Sequence, residues 1–281
     1  MNGIDVSRWQ GNIDLSIVPA DFVIVKATQG TSYVSSQYLR QIQQAESAGR
    51  LLGVYHYASK GGAIPEAEHF LKTVKDYIGK AILCLDWEGE DNDNFGSPQY
   101  AIAFLKYVEQ KTGIKPFIYM SKSVCRQYAS MWDATFPLWC AQYANYQYTG
   151  YKSHPWTDNK GFGAWKDCQI YQYSSRGRLP GYNRDLDLDL AYITPEQWKE
   201  YARGEIITNN PVIQNPLLKK GDKNEYVRHW QMFLNQNGYN CGAADGIFGA
   251  KTEAAVKKWQ KDHGLTVDGI IGKQTWGSLQ M

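Results

Sequence analysis

Residues 81–90 read Ala-Ile-Leu-Cys-Leu-Asp-Trp-Glu-Gly-Glu, an apolar run that stops abruptly at carboxylates. The five apolar residues 81–85 suit a strand buried on both faces of a parallel sheet. Asp86 and Glu88 follow two apart, so on a strand they project to one face with backbone positions roughly 6.6 Å apart. Side by side, each carboxylate makes ionisation of the other harder, and Trp87 and a dry strand end are expected to add desolvation. One carboxyl of the pair is therefore expected to keep its proton to unusually high pH, as a general acid must. The competing reading is a strand that runs out into a solvated acidic loop, since Glu90, Asp91 and Asp93 come next.

Apolar runs of the same kind recur on both sides. Residues 3–6, 22–25 and 51–57 read as strands upstream, and 115–120, 136–142, 168–173 and 185–193 downstream. Between them lie amphipathic stretches at helical spacing. The first covers 38–48 with Gly49 to cap it. The second covers 65–77 with Ala67, Phe70, Leu71 and Val74 on one face. The third runs from Ser97-Pro98 to Gly113, and a last one follows Thr194-Pro195. Strands alternating with helices over some 200 residues give a parallel α/β domain, open or closed into a barrel, with its site at the carboxyl ends of the strands. Asp5, Asp86, Glu88, Tyr119, Gln142 and Gln172 all fall at or just beyond such ends.

Asp185, Asp187 and Asp189 alternate with leucines. A calcium loop is the rival reading, but its glycine position holds Leu190 and no terminal Glu follows. A strand with one acidic face remains, and three like charges there need a solvated or cation-accepting cleft.

The balance of 30 basic and 28 acidic residues argues against a nucleic-acid partner. With 20 Tyr, 10 Trp and 9 Phe, the chain is rich in side chains that join a flat apolar face to a polar edge, as a sugar groove requires. The five Cys are spread without metal spacing and read as reduced, and His56, His69 and His154 form no zinc set. No metal or cofactor is expected. No basic-then-apolar leader opens the chain and no run reaches membrane-spanning length, so neither a signal peptide nor a membrane partner is expected.

Residues 204–216 carry Pro211 and Pro216 and no periodic pattern, so they read as a linker between 1–203 and 217–281. The mildly basic segment beyond it repeats itself. Val227-x-x-Trp230-Gln231 recurs as Val256-x-x-Trp259-Gln260, and Asp245-Gly246-Ile247-Phe248-Gly249-x-x-Thr252 as Asp268-Gly269-Ile270-Ile271-Gly272-x-x-Thr275. Each unit couples a helix to a tight Asp-Gly turn, with Thr252 or Thr275 as candidate cap of the element after the turn. Trp230 and Trp259 share a face with the valines and read as core rather than as a ligand platform. Nothing in the segment reads as catalytic.

Residues 1–203 resemble the family 25 glycoside hydrolases, N-acetylmuramidases common among phage endolysins and bacterial autolysins. The resemblance rests on Gly3-Ile4-Asp5-Val6-Ser7, Val25-Lys26-Ala27-Thr28, Gly53-Val54-Tyr55-His56-Tyr57, Asp86-x-Glu88, Ile118-Tyr119, Leu138-Trp139-x-Ala141-Gln142-Tyr143, Gln172-Tyr173 and Asp187-Leu188-Asp189. Residues 217–280 resemble the three-helix peptidoglycan-binding module of cell-wall hydrolases, through the paired Asp-Gly turns and Thr275-Trp276. Trp87 departs from the family, which more often has a small aliphatic residue there, and Asp189 stands where Asn is frequent.

The resemblance implies an irregular β/α barrel of about eight strands with Asp5, Asp86, Glu88 and Asp187 at its mouth, Asp185 or Asp189 being the alternative for the last. It gives Glu88 the role of general acid. Asp86 would orient the substrate's N-acetyl group or act as base to a water, and Asp5 and Asp187 would set the charge balance. Tyr57, Tyr119, Trp139 and Gln172 are the candidates to line the sugar site. The implied partner is bacterial peptidoglycan, cut between N-acetylmuramic acid and N-acetylglucosamine by a monomer released as an endolysin is. A chitinase-like hydrolase and a catalytically inactive glycan-binding protein are the alternatives. Cys84, two residues before Asp86 where a chitinase would have another acid, weakens the first, and the presence of all four acids weakens the second.

Overall fold

The computed structural model of the chain describes residues 1–132, 134–205 and 217–278. They divide into two units, Met1–Val212 and Ile213–Met281. Of the linker expected at 204–216, residues 206–216 lie outside the described residues.

The first unit is a closed eight-stranded barrel. Strands β1 (Asn2–Val6), β2 (Phe22–Gln29), β4 (Leu51–Tyr57), β5 (Ala81–Asp86), β6 (Phe117–Ser121), β7 (Leu138–Ala141) and β8 (Ile170–Leu179) run parallel, each to the next. β9 (Tyr182–Ala191) closes the ring, antiparallel to both β8 and β1, and the two-residue β3 (Tyr33–Val34) hangs on the edge of β2. Helices α1 (Tyr38–Ser47), α2 (Ala63–Val74) and α3 (Pro98–Thr112) make the long crossovers that parallel neighbours require. α4 (Lys122–Gln127) follows β6.

Period-2 alternation sorts the side chains into two cores. Leu83, Leu85 and Trp87 face outward and pack with Phe70 of α2 and Phe104 of α3. Ile82 and Cys84 face inward with Ile24, Tyr55, Phe117, Tyr119, Trp139 and Ile170. Gly3 is an inward position with no room for a side chain, because a Cβ there would lie 2.3 Å from the Phe22 ring. Helix α5 (Pro195–Arg203) starts at a Thr194–Gln197 capping box and plugs the end where the strands begin. Its Trp198 donates its indole N–H to the Leu52 carbonyl (2.9 Å) and packs on Phe22, with ring centroids 4.6 Å apart. With that end filled, the barrel interior opens toward the carboxyl end of the parallel strands.

The sequence pattern ends β8 at Tyr173 and begins β9 at Asp185, whereas the two strands run on to a tight hairpin, with Leu179 opposite Tyr182. Residues 174–179, Ser-Ser-Arg-Gly-Arg-Leu, lack apolar alternation because repeated register shifts in the β8–β9 ladder break the period, although Ser174, Gly177 and Leu179 are buried. The turn signal is Pro180-Gly181, with Gly181 at φ +86°, where an L side chain is strained.

The second unit packs α6 (Glu225–Gln236), α7 (Ala250–Asp262) and α8 (Lys273–Gly277) around Val227, Trp230, Leu234, Phe248, Val256, Trp259 and Ile271. Trp230 and Trp259 are core, as the spacing predicts. Thr252 and Thr275 are not caps. Gly249 and Gly272 occupy the N-cap positions, and the threonine hydroxyls instead accept from Gln231 and Gln260.

Candidate functional site

Three of the four candidate acids sit on strands and the fourth just past one. Asp5 is the fourth residue of β1, Asp86 the last of β5, and Glu88 lies two residues further on the same inward phase. Asp187 on β9 is the direct cross-strand partner of Asp5. Because β9 runs antiparallel, its early residues lie at the end where β1 and β5 finish. All four carboxyls therefore meet at one mouth.

Burial sets their electrostatics. Desolvation, then the neighbouring Asp189, pushes the Asp5 carboxyl well above the usual range. Desolvation and then Glu88 do the same to Asp86, and desolvation and then Asp5 to Asp187. Glu88, half-buried at the rim, is raised by burial and by Glu90, with Lys26 opposing. The desolvation does not come from Trp87, contrary to the expectation from its place in the sequence. That indole is one residue out of phase with the acids and packs on the outer side against Phe95, Tyr128 and Trp132. The dry surroundings are instead the inward tyrosines and the barrel wall.

The four candidate lining residues differ in what they can reach. Tyr57 and Tyr119 sit near the mouth, their hydroxyls donating to the Glu90 carbonyl (2.6 Å) and to Gln172 Oε1 (2.8 Å). Gln172 is engaged at both ends: an amide N–H donates to Asp5 Oδ2 at 2.7 Å, and its oxygen accepts from Tyr119 and Tyr143. Trp139 is 2% exposed and its only donor goes to Asp189 Oδ1 at 2.8 Å. Gln172 and Trp139 thus hold carboxylates in position.

The three aspartates of β9 fall into three environments. Asp185 is exposed and pairs with Arg176 and Arg178 on the hairpin. Asp187 is half-buried beside Asp5, and Asp189 is wholly buried beneath them. This extended strand has no calcium-loop geometry, and the described residues contain no group of His, Cys, Asp or Glu arranged to hold a metal.

Four further residues belong to the site. Lys26 Nζ lies 4.1 Å from the Tyr57 ring centre, bonds Gln29, and favours the ionised forms of Asp86 and Glu88. Tyr55 and Tyr143 face Asp5, Asp187 and Glu88, and Asp189 lies diagonally across the β1–β9 ladder from Asp5. Alternation from Ile24, Tyr57 and Ala141 puts the first three on the inward phase, a signal present in the sequence. Tyr143 opens the 143–165 loop, which Lys122 pins by donating to Thr157 Oγ1 (2.6 Å) and pairing with Asp158 (2.8 Å).

The family model described as "Glycosyl hydrolases family 25" matches residues 4–182, ending before Asp187, and "Putative peptidoglycan binding domain" matches residues 223–279. The chain is 30% identical to the autolytic lysozyme of Clostridium acetobutylicum, over all of this chain and 79% of that one. Its fold is similar to that of a bacterial lysozyme from Streptomyces coelicolor (TM-score 0.59, 23% identity, 72% of this chain and 97% of that one). It is equally similar to the catalytic domain of an endolysin from a bacteriophage of Listeria monocytogenes (TM-score 0.58, 21% identity, 72% and 97%).

Proposed function

The chain belongs to the family 25 glycosyl hydrolases, and we propose that it is a lytic muramidase that cuts the β-1,4 bond between N-acetylmuramic acid and N-acetylglucosamine. The observation that carries this reading is the convergence of Asp5, Asp86, Glu88 and Asp187 on one mouth of the barrel, with Glu88 at its rim. A glycosidic oxygen leaves readily only when protonated, and Glu88, whose carboxyl burial and Glu90 push above its ordinary value, is the donor. Asp86 Oδ1 is buried and has no donor among the described residues. That oxygen is free to accept the substrate's N-acetyl N–H and so orient the acetamide for attack on the anomeric carbon. Asp5 and Asp187 keep the neighbouring charge negative, which favours both the protonated acid and a positive anomeric centre.

The peptidoglycan-binding module supplies the second half of the function, keeping the barrel on an insoluble polymer between cuts. Purified peptidoglycan digested by the parent is expected to yield fragments whose new reducing end is N-acetylmuramic acid, read by mass spectrometry after borohydride reduction. Glu88→Gln keeps the shape and removes the proton donor, and is expected to slow clearing at least a hundredfold. N-acetylglucosamine at the reduced end, or a Glu88→Gln variant as fast as the parent, refutes the reading.

A further inference from the structure

Asp189 is a fifth carboxyl, which the roles above leave unused. It has no exposed surface, and one oxygen accepts the Trp139 indole N–H at 2.8 Å. The other, Oδ2, has no N–H or O–H donor among the described residues. On the same inward face Asp5 lies diagonally across the β1–β9 ladder, where Gly3 opposes Asp189 and Asp187 opposes Asp5, and Gln172, the direct neighbour of Asp189 on β8, is the residue that bonds Asp5, at 2.7 Å. Two carboxylates are both acceptors, so a hydrogen bond between them exists only if one proton lies between them. Without that proton, two desolvated anions would face each other beside three more carboxyls.

We propose that Asp5 and Asp189 share one proton at neutral pH, and that Asp189 is a positioning residue which, through this carboxyl–carboxylate bond, fixes Asp5 at the mouth. The shared proton leaves the pair with a single negative charge. Trp139 and Gln172 each supply an N–H to one end of the pair, so the unit Trp139–Asp189–Asp5–Gln172 spans β7, β9, β1 and β8 and locks Asp5 from two sides. The role of Asp5 rests on the muramidase reading, whereas the shared proton does not.

The pair has a titratable neighbourhood. Asp187 faces it from β9, Asp86, Glu88 and Cys84 from β5 and its loop, and Tyr55 and Tyr119 from β4 and β6. Tyr143, Tyr151 and Tyr173 complete it. Burial raises the tyrosines and Cys84 further, so they stay neutral where the carboxyls titrate. The Asp189 carboxyl is itself pushed up to about 8, by burial first and then by Asp187. A carboxyl raised by folding contributes stability that is fully present below its unfolded value and is lost as the pH climbs through the folded one. The window runs from about pH 4 to pH 8.

Asp189→Asn tests the proposal, because the amide accepts from Trp139, donates to Asp5 and preserves the single charge while deleting the ionisation. Thermal melts of the full chain should fall between pH 5 and pH 8.5 by at least about 4 °C more in the parent than in Asp189→Asn. On peptidoglycan, the parent's kcat/KM should fall on the alkaline side with a slope steeper than one decade per pH unit, and the variant's with a slope of one. At pH 9, relative to its own optimum, the variant should keep at least fivefold more activity. Asp189→Leu, close in volume but without donor or acceptor, should lose kcat at least thirtyfold with KM within threefold. If it fails to fold, the Asn comparison still decides. Melts and profiles of Asp189→Asn that superimpose on the parent's overturn the shared proton. A changed melt with an unchanged profile overturns the positioning role. A parent inactive on peptidoglycan refutes the muramidase reading, and the melts still decide the proton.

Discussion

Tyr57 donates its hydroxyl to the backbone carbonyl of Glu90 at 2.6 Å, tying the last residue of β4 to the loop that carries Glu88. It is one of several ties on that loop. Asn94 donates its side-chain amide to the carbonyls of Ser59 (2.7 Å) and Gly61 (2.8 Å), and its own carbonyl accepts from Trp87. Asn92 donates to the Glu88 carbonyl at 2.9 Å and accepts from the Asn94 backbone. Glu88 lies beyond the end of its strand, so these bonds, rather than the sheet ladder, fix its backbone.

Asn94→Asp keeps the shape but turns the donor into an acceptor facing two carbonyls. A general acid displaced by a fraction of an ångström loses much of its advantage. The expected outcome is a fall in kcat of about tenfold or more with KM within threefold, measured on solubilised peptidoglycan. Parental kcat in Asn94→Asp shows that the clamp does not position Glu88.

Lys26 is the cation among the acids, and it favours the ionised forms of both Asp86 and Glu88. Replacing it by Met removes that pull, so both carboxyls hold their protons to higher pH. The proposed mechanism requires Glu88 protonated and Asp86 ionised, so the two limbs of the pH–kcat/KM profile move in the same direction. Lys26→Met is expected to carry the whole bell to alkaline pH by about one unit. A bell that stays in place, or moves to acid, contradicts the electrostatic arrangement.

Most of the barrel is legible in the sequence because its strands are buried on both faces and its helices are amphipathic, which leaves a strong periodic signal from residue 3 to residue 142. The acids are legible for the same reason: Asp86 and Glu88 interrupt an apolar run in phase with it. Three features are not legible. Register shifts interrupt the outer half of the β8–β9 hairpin, so Ser174 to Leu179 carry no alternation and only Pro180-Gly181 marks the turn. Trp87 adjoins the carboxylates in sequence but not in space, because strand phase, rather than proximity along the chain, decides which side of the barrel wall a residue meets. The choice among Asp185, Asp187 and Asp189 depends on how far the hairpin reaches beyond the barrel, which no local pattern records. The packing divides them, with Asp185 on the arginines, Asp187 at the mouth and Asp189 beneath it.

The tail's repeat has a physical cause that predicts how it fails. Gln231 accepts from the Gly246 N–H (2.8 Å) and donates to Asp245 Oδ1, the Ile247 carbonyl and Thr252 Oγ1. Gln260 does the same with Gly269 N–H (2.9 Å), Asp268 Oδ1, the Ile270 carbonyl and Thr275 Oγ1. Each glutamine is 1% exposed and serves as the polar centre of one Asp-Gly turn, which explains why Trp-Gln and Asp-Gly-x-x-Gly-x-x-Thr recur together. Gln→Ala strands a buried N–H and its acceptors, at a cost of about 2–3 kcal/mol per turn. Gln→Glu costs more, since a carboxylate cannot donate and faces Asp245 or Asp268. A module of this size holds only a few kcal/mol in reserve. The double variant Gln231→Ala/Gln260→Ala is therefore expected to lose the tail's calorimetric transition in the full chain and to release the protein from sedimented cell walls, with the barrel's transition kept. A double variant that still sediments with walls and melts like the parent shows that the two glutamines do not hold the turns together.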